Sequence, residues 1–171
     1  MNIENMPISN IEWIEVDELN ANDYNPNVVF TKEKELLKFS IIKNGWIQPI
    51  LTTEENIIID GFHRATLAKT DKEVKELTNG KVPVVRMKLS EPERMLLTIR
   101  INRAKGSHIA VKMGDIIKKL INNYGISKKE IMEQIGATKD EIELLMLDNV
   151  FKKYEFNEES EYSKAWVPKF D

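Results

Sequence analysis

The 171-residue chain contains no cysteine and only two histidines, His63 and His108. The absence of cysteine excludes a disulfide framework, a zinc–thiolate site and any thiol nucleophile. Two histidines so far apart in the sequence argue against a dedicated histidine metal site. The chain also lacks a signal-peptide pattern and a run of about 18 apolar residues, so we expect a soluble, cytoplasmic protein without a membrane partner.

An excess of positive charge is missing as well. The net charge is −3, and only residues 91–154 are basic overall, at +3, whereas residues 1–90 and 155–171 each carry −3. This balance is not typical of a strongly basic DNA-binding protein. We expect any affinity for DNA to be modest and sensitive to salt.

The most informative stretch of the chain is residues 57–69. Three isoleucines at 57–59 predict a short buried strand, Asp60-Gly61 breaks it, and a helix follows from His63. A glycine turn that leads into a helix start carrying Arg64 favours anion binding, because N–H groups and the helix dipole attract negative charge there. A plain strand-to-helix corner with a surface arginine explains the same pattern.

The preceding residues predict a helix over 33–43, a glycine C-cap at Gly45 and a strand over 47–52. Four motifs then occur in a characteristic order: Asn25-Pro26, Asn44-Gly45-Trp46-Ile47-Gln48-Pro49-Ile50, Asp60-Gly61-Phe62-His63-Arg64 and Val82-Pro83-Val84. With these motifs, residues 11–105 resemble the N-terminal domain of the ParB/sulfiredoxin superfamily.

The resemblance implies an α+β nucleotide-binding domain and a nucleoside triphosphate, CTP or ATP, with Mg²⁺. It assigns phosphate binding to the box Gly61, Phe62, His63 and Arg64, and a base or substrate pocket to Gln48 and Pro49. The fold does not fix the chemistry, however, because function depends on the site.

Three branches of the superfamily imply different functions. The sulfiredoxin branch is excluded, because Phe62 occupies the position of its catalytic cysteine. The partition-protein branch implies that Asn102, Arg103 and Lys105 complete the phosphate site and that Asn102 reaches the nucleotide's Mg²⁺. In that branch Ile101 replaces a glutamate, which weakens the prediction of hydrolysis.

The free serine kinase branch has a box that resembles Asp60-Gly61-Phe62-His63-Arg64 more closely. A phosphotransferase needs a group that accepts the hydroxyl proton and positive charge that neutralises phosphate. Asp60 and His63 are the candidate catalytic residues, although Asp60 is equally compatible with a turn acid and His63 with a packed helix-start histidine.

Residues 98–114 are basic around Gly106-Ser107-His108, which suits a phosphate contact or simply a solvated helix end. Further on, the pattern predicts helices over 115–123, 128–135 and 139–147, with a Ser127–Glu130 capping box and a turn at Gly136. The last two helices resemble a helix-turn-helix, although the acids Asp140, Glu141 and Glu143 on the second helix equally fit a degenerate unit that only packs. The candidate DNA-binding residues there are Lys118, Lys119, Lys128, Lys129 and Lys139.

We therefore predict a ParB/sulfiredoxin-like domain over 1–106, a helical domain over 107–154 and an acidic tail over 155–171, in which Trp166 and Phe170 could dock. The leading hypothesis is a ParB-like nucleotide-binding, DNA-associated protein of plasmid, phage or prophage type. An ATP- or ADP-dependent phosphotransferase on a small hydroxylated substrate is the alternative. A co-activator or adaptor without nucleotide turnover is the third, and a homodimer or a protein partner is compatible with each.

Overall fold

The computed structural model describes residues 2–24, 31–105 and 110–147, and the chain divides into two compact units. The first unit comprises Met1–Asp23 and Thr31–Leu89, and the second comprises Tyr24–Phe30 and Ser90–Asp171. The class is α+β, as the sequence predicts.

In its described residues, the first unit contains a four-stranded sheet, three α-helices and three short 3-10 helices at Ile3–Asn5, Pro7–Ser9 and Val16–Glu18. Its elements are β1 (Ile11–Glu15), α1 (Thr31–Asn44), β2 (Ile50–Thr53), β3 (Ile58–Asp60), α2 (Phe62–Thr70), α3 (Lys72–Leu77) and β4 (Lys81–Met87). The strand order is β1-β4-β2-β3, with β2 and β4 parallel and the other neighbours antiparallel.

The core of the first unit forms where apolar residues of the strands meet those of the helices. Buried residues of this cluster include Ile14, Ile41, Ile50, Ile58, Leu67, Val74, Val82 and Val84. Burial of such side chains supplies most of the stabilisation of a unit this small, at about 1.5–3 kcal/mol each. The cluster fixes β3 and α2, and with them the box at residues 60–64.

The second unit consists of helices: α4 (Glu91–Ala104), α5 (Ala110–Tyr124), α6 (Lys128–Ile135) and α7 (Lys139–Met146). The sequence predicts a domain boundary at residue 106. In the structure the division falls between Leu89 and Ser90, because the buried face of α4 (Met95, Leu96 and Ile99) belongs to the core of the later helices.

Local sequence explains where these helices begin and end. Ser90 and Glu93 form a capping box at the start of α4, and Ser127 accepts a hydrogen bond from the Glu130 N–H at the start of α6. Both contacts satisfy main-chain donors that have no acceptor inside the helix. Gly136 ends α6 in a left-handed conformation, and α7 follows directly after Thr138.

Helix α5 crosses α7 at very short range. A Cβ atom added to Gly114 would lie 2.2 Å from the main-chain oxygen of Leu145, so only glycine fits at this crossing. Around it, Ile117, Leu120 and Ile142 are almost completely buried. None of the helices in the described part of the chain is long and apolar enough to span a membrane.

Candidate functional site

The box at residues 60–64 is built by the junction of β3 and α2. Strand β3 ends at Asp60, and Gly61 adopts φ +96°, which reverses the chain and starts α2 at Phe62. A residue with a Cβ atom would be strained at this φ, so the glycine is required for the turn itself. The first bond within the helix runs from the Ala65 N–H to the Gly61 carbonyl.

The Arg64 guanidinium connects this junction to the segment that precedes β2. Its Nη1 donates hydrogen bonds to the carbonyls of Gln48 and Pro49, the latter at 2.8 Å. Its Nη2 pairs with Asp60 Oδ2 at 3.2 Å. The side chains of Arg64 and Asp60 are only 11% and 13% exposed, so this ion pair is shielded from solvent and less screened than a surface pair.

Arg64 is close to the main chain of its own box. A Cβ atom on Gly61 would lie 3.1 Å from Arg64 Nη2 and 3.2 Å from Ile50. In the structure, Gly61 thus provides the turn and also makes room for the guanidinium. Burial lowers the pKa of Arg64 from its ordinary value, and the charge of Asp60 opposes that shift.

A cavity of about 250 Å³ lies beside Arg64. It is lined by Leu37, Ser40, Ile41, Gly45, Trp46, Ile47, Gln48 and Arg64. The Trp46 Nε1–H donates to the Gln48 carbonyl at 2.8 Å, so this carbonyl accepts from both Trp46 and Arg64. The mixture of apolar walls with a few polar groups is typical of a small-molecule pocket.

The structure thus brings together five of the seven predicted residues of the first unit, and the other two, Phe62 and His63, follow Gly61 in the first turn of α2. Gln48, Pro49, Asp60, Gly61 and Arg64 are joined by direct contacts, and Gln48 and Arg64 line the cavity. Four further residues line the pocket that were not predicted from the sequence: Leu37, Ser40, Ile41 and Trp46. Trp46 could have been found from its position inside the Asn-Gly-x-x-Gln-Pro motif; the α1 residues gave no such signal.

The two candidate catalytic residues have different surroundings. Asp60 is held by Arg64, so its carboxylate already has a cationic partner. His63 follows Phe62 in the first turn of α2, and the two rings meet edge to face with centroids 6.1 Å apart. Both residues are partly buried. Their catalytic roles remain predictions.

Asn102, Arg103 and Lys105 lie in the second unit, at the end of α4. Asn102 is 4% exposed. Arg103 pairs with Glu141 on α7 and also donates to the Gly136 carbonyl at 3.3 Å. Lys105 is the exposed C-cap residue of α4. Within this unit, Arg103 therefore already has a structural role, because it ties α4 to the α6–α7 turn.

The five lysines predicted to contact DNA lie on α5, α6 and α7: Lys118, Lys119, Lys128, Lys129 and Lys139. Lys119 pairs with Glu91 at 3.0 Å, and Lys129 and Lys139 pair with acids one turn on, Glu133 at 4.0 Å and Glu143 at 3.7 Å. The positive charge of these three lysines is thus partly balanced. Their role in DNA binding remains a prediction.

Magnesium was predicted to arrive with a nucleotide. Among residues 2–24, 31–105 and 110–147, no group of three or more histidine, aspartate or glutamate side chains is placed to hold a metal ion. Asn102, the predicted contact, is buried within its own unit. The described side chains therefore fit a Mg²⁺ ion only if phosphate oxygens supply most of its ligands.

Several predictions lie outside the described residues. They concern Asn25-Pro26, Gly106-Ser107-His108 and the tail from 155 with Trp166 and Phe170.

Comparison with known proteins identifies relatives of two kinds. The uncharacterized protein YbdM of Escherichia coli is 35% identical over 167 residues, which cover 95% of this chain and 78% of YbdM. The probable chromosome-partitioning protein ParB of Rickettsia felis is 27% identical over 143 residues, 82% of this chain. The chain spans about half of that ParB's length, at 48%.

Among solved structures, the C-terminally truncated ParB of Caulobacter crescentus complexed to the centromeric parS site matches with a TM-score of 0.51 and 18% identity, over 79% of this chain and 70% of that one. The same protein complexed with CTP-γ-S matches with a TM-score of 0.48 and 20% identity, over 80% and 77%. No protein-family model matches the chain. In sequence and in fold, the chain belongs to the ParB-like family, as a relative of YbdM.

Proposed function

We propose that this chain is a ParB-like nucleotide-binding protein whose first unit holds the nucleotide beside the box at residues 60–64. The observation that carries the proposal is the position of Arg64. Its guanidinium lines the cavity of about 250 Å³ and lies at the first turn of α2, next to the left-handed Gly61.

The start of α2 and Arg64 together suit phosphate. The first turn of α2 presents main-chain N–H groups at its N-terminal end, and the helix dipole favours an anion there. The contacts to Gln48, Pro49 and Asp60 use three of the five N–H groups of Arg64. The others can donate to phosphate while the first three keep the guanidinium in place.

The cavity suits the rest of a nucleotide. Leu37, Ile41 and Trp46 provide apolar surface for a flat ring, and Ser40 and Gln48 provide polar groups at the wall. At about 250 Å³ the cavity is slightly below the usual range of roughly 300–1,000 Å³ for drug-sized ligands. We infer that the base or sugar enters it while the phosphates remain at the box.

The phosphate contacts of Asn102, Arg103 and Lys105 remain predictions. Within the second unit, Asn102 is buried, Arg103 is paired with Glu141 and Lys105 is exposed.

DNA association is the second part of the proposal. It is supported by the fold likeness to a ParB complexed to parS and by two short helices, α6 and α7, that are joined by a turn at Gly136. The predicted lysines are partly balanced by acids, so we expect weak, salt-sensitive binding. The plasmid, phage or prophage setting and the cytoplasmic location remain predictions.

One observation favours the phosphotransferase alternative. Asp60 and His63 stand beside Arg64 in the same box, and Asp60 is within 3.2 Å of its guanidinium. In a kinase on a small hydroxylated substrate, one of them would accept the hydroxyl proton. The third candidate, an adaptor without turnover, uses the same fold with no nucleotide at all.

The test is calorimetric titration of the chain with CTP, ATP and ADP in the presence of Mg²⁺, with and without duplex DNA. We expect one nucleotide to bind, and Arg64→Ala to weaken its binding by at least about tenfold through loss of charged hydrogen bonds. Binding of CTP that changes with DNA favours the ParB-like function. Binding of ATP or ADP that is indifferent to DNA favours the phosphotransferase.

Arg86→Ala is the matched control. Arg86 also joins a carboxylate, Glu12, and a main-chain carbonyl, that of Glu54, but it does not line the cavity. Equal loss in both variants would mean that binding fails through destabilisation, which thermal melts would show. No binding of any nucleotide, or unchanged affinity in Arg64→Ala, contradicts the assignment of the box.

A further inference from the structure

Strand β1 lies at one end of the sheet and has a single neighbour, β4. Its register with β4 pairs Glu12 with Val84 and Ile14 with Val82, and the N–H of Val16 continues the ladder to the Gly80 carbonyl at 2.9 Å. In an antiparallel pair, residues that hydrogen-bond across the ladder alternate with residues that face away. Because residue 16 is bonded, residues 14 and 12 are bonded too.

The main-chain groups of the other three β1 residues therefore point away from β4. These are Ile11, Trp13 and Glu15. Pro83 lies opposite Trp13, which agrees with this alternation, since a proline has no N–H to donate to the ladder. Among the residues that the structure describes, none forms a hydrogen bond to these outward N–H and C=O groups. The edge can accept another strand.

Apolar side chains accompany this edge. Ile11 and Trp13 are 47% and 53% exposed, and Ile3 and Ile8 just before the strand are more exposed still. Edge strands in soluble proteins are usually short, covered or protected by charge. Half-exposed Trp13 in the middle of β1 is the kind of aromatic anchor that interfaces use.

The chain segment that contains β1 is acidic. Residues 1–31 contain six acids, Glu4, Glu12, Glu15, Asp17, Glu18 and Asp23, and no lysine or arginine. Arg86, Lys81 and Lys69 balance three of them at 3.1, 3.7 and 3.6 Å. The acid of each pair is more than half exposed, so these pairs are weak. The segment keeps a negative net charge, so two copies would repel each other, whereas a cationic strand would be attracted.

We propose that the outer edge of β1 binds an extended, cationic polypeptide segment of a partner protein, which adds to the sheet next to Ile11–Glu15. The outward main-chain groups supply the hydrogen bonds, Trp13 and Ile11 supply apolar contact, and the acids select basic residues. Strand addition of this type draws its affinity from the main chain and its specificity from alternate side chains.

The test uses a labelled synthetic peptide in which valine and lysine alternate, titrated with the chain by fluorescence anisotropy. We expect saturable binding that weakens at least about tenfold in Trp13→Lys, which adds a like charge and removes the anchor. Leu77→Lys is the matched control, because Leu77 is 52% exposed on α3. The Leu77→Lys variant should bind the peptide with the same affinity as the unsubstituted chain.

Main-chain pairing is tested separately. Ile11→Pro removes one outward N–H and should weaken binding about fivefold, whereas Ile11→Val keeps that N–H and should not. The same peptide with every amide N-methylated keeps its charge and side chains, and it should not bind. Far-UV circular dichroism and thermal melts of Ile11→Pro confirm that its sheet is intact.

Four results would overturn the proposal: no binding of the valine–lysine peptide, equal binding of the N-methylated peptide, equal binding of a valine–glutamate peptide, or no effect of Trp13→Lys. A concentration-dependent dimer of the chain that Trp13→Lys abolishes would also overturn it, because a second copy would then be the occupant.

Discussion

Arg64 in the first unit and Arg103 in the second make the same kinds of contact. Each guanidinium pairs with one carboxylate and donates to at least one main-chain carbonyl. Their surroundings differ: Arg64 lines a cavity, whereas Arg103 fastens α4 to the α6–α7 turn. Contacts within the protein therefore do not distinguish Arg64, which we propose binds a ligand, from Arg103, which joins helices, and the cavity beside the guanidinium is the better guide.

Gly61 and Gly114 also differ in what their lack of a side chain serves. Gly61 is needed for its positive φ and for the space that Arg64 fills, so it shapes the candidate site. Gly114 has no unusual φ and is needed only because the Leu145 carbonyl approaches α5. One glycine makes room for a functional group, and the other makes room for a helix. Each prediction below changes one side of this comparison.

The largest effect is expected at Gly114. Gly114→Ala forces α5 away from α7, because the new Cβ would collide with main-chain atoms that cannot move alone. We expect a loss of about 3 kcal/mol in the free energy of unfolding, at the upper end of overpacking costs. Chemical denaturation measures the loss, and the main-chain amides of α5 and α7 should exchange their hydrogens faster than in the parent chain.

Gly136→Asn is the control for Gly114→Ala. Gly136 has φ +66° but no atom within 4 Å of an added Cβ, and asparagine tolerates this conformation better than other residues. If Gly136→Asn lost as much stability as Gly114→Ala, steric contact at the helix crossing would not be the cause of the loss in Gly114→Ala.

The next effect is expected at Arg64. Arg64→Met keeps the stem but removes the guanidinium from Asp60 and from the Pro49 carbonyl, and it leaves the Gln48 carbonyl with the Trp46 N–H alone. In this shielded place the loss should cost about 2–3 kcal/mol. Adding Asp60→Asn should recover part of this cost, because a carboxylate charge then no longer lies there without the guanidinium. Urea unfolding of Arg64→Met, Asp60→Asn and the double variant measures the free energies of unfolding. If the losses of the two single variants simply add in the double variant, the expectation is contradicted.

A smaller effect is expected for the Arg103–Glu141 pair. Both side chains are partly exposed, at 22% and 33%, so a double-mutant cycle to alanine should give a coupling of about 1 kcal/mol. The Lys139–Glu143 pair, exposed at 78% and 54%, should give a few tenths at most. Similar couplings for the two pairs would mean that burial does not strengthen the Arg103 contact.

The smallest effect concerns pH. Hydrogen bonds from Tyr124 and Lys119 lower the pKa of Glu91 from its ordinary value of 4.5. A carboxyl whose folded pKa is lowered stabilises the protein above its unfolded pKa, and this stabilisation is lost as the pH falls through the folded pKa. We expect less than about 1 kcal/mol, because the group is partly exposed. Glu91→Gln should flatten the stability profile below pH 4.5 relative to the parent.

The local features of the fold were predictable from the sequence. The isoleucines at 57–59 gave β3, Gly61 gave the turn, and Ser127, Gly136 and the apolar spacing between them gave α6. These features depend on neighbouring residues, whose propensities act over one or two turns. The predicted strand over 47–52 is shorter in the structure, Ile50–Thr53, because Trp46 and Arg64 hold the Gln48 carbonyl in a loop.

Contacts between distant residues were not predictable in the same way. Arg64 was expected to point at phosphate, and its bonds to Gln48 and Pro49 depend on a tertiary fold that no spacing reveals. Arg103 likewise finds Glu141 only once α4 and α7 have packed. The residues that can bind or react were identifiable from the sequence, whereas the residues that they contact became known only from the structure.

The pairing of β1 with β4 also sets the order of events when the chain is made. The first strand of this sheet finds its neighbour only after residues 81–87 have been synthesised, since Ile11 lies opposite Val85. Contacts that close such long loops form slowly, whereas those among α5, α6 and α7 are local. On the ribosome, a nascent chain must therefore carry Ile11 and Trp13 without any sheet partner until β4 emerges, and a chaperone that shields that segment would protect the newly made protein.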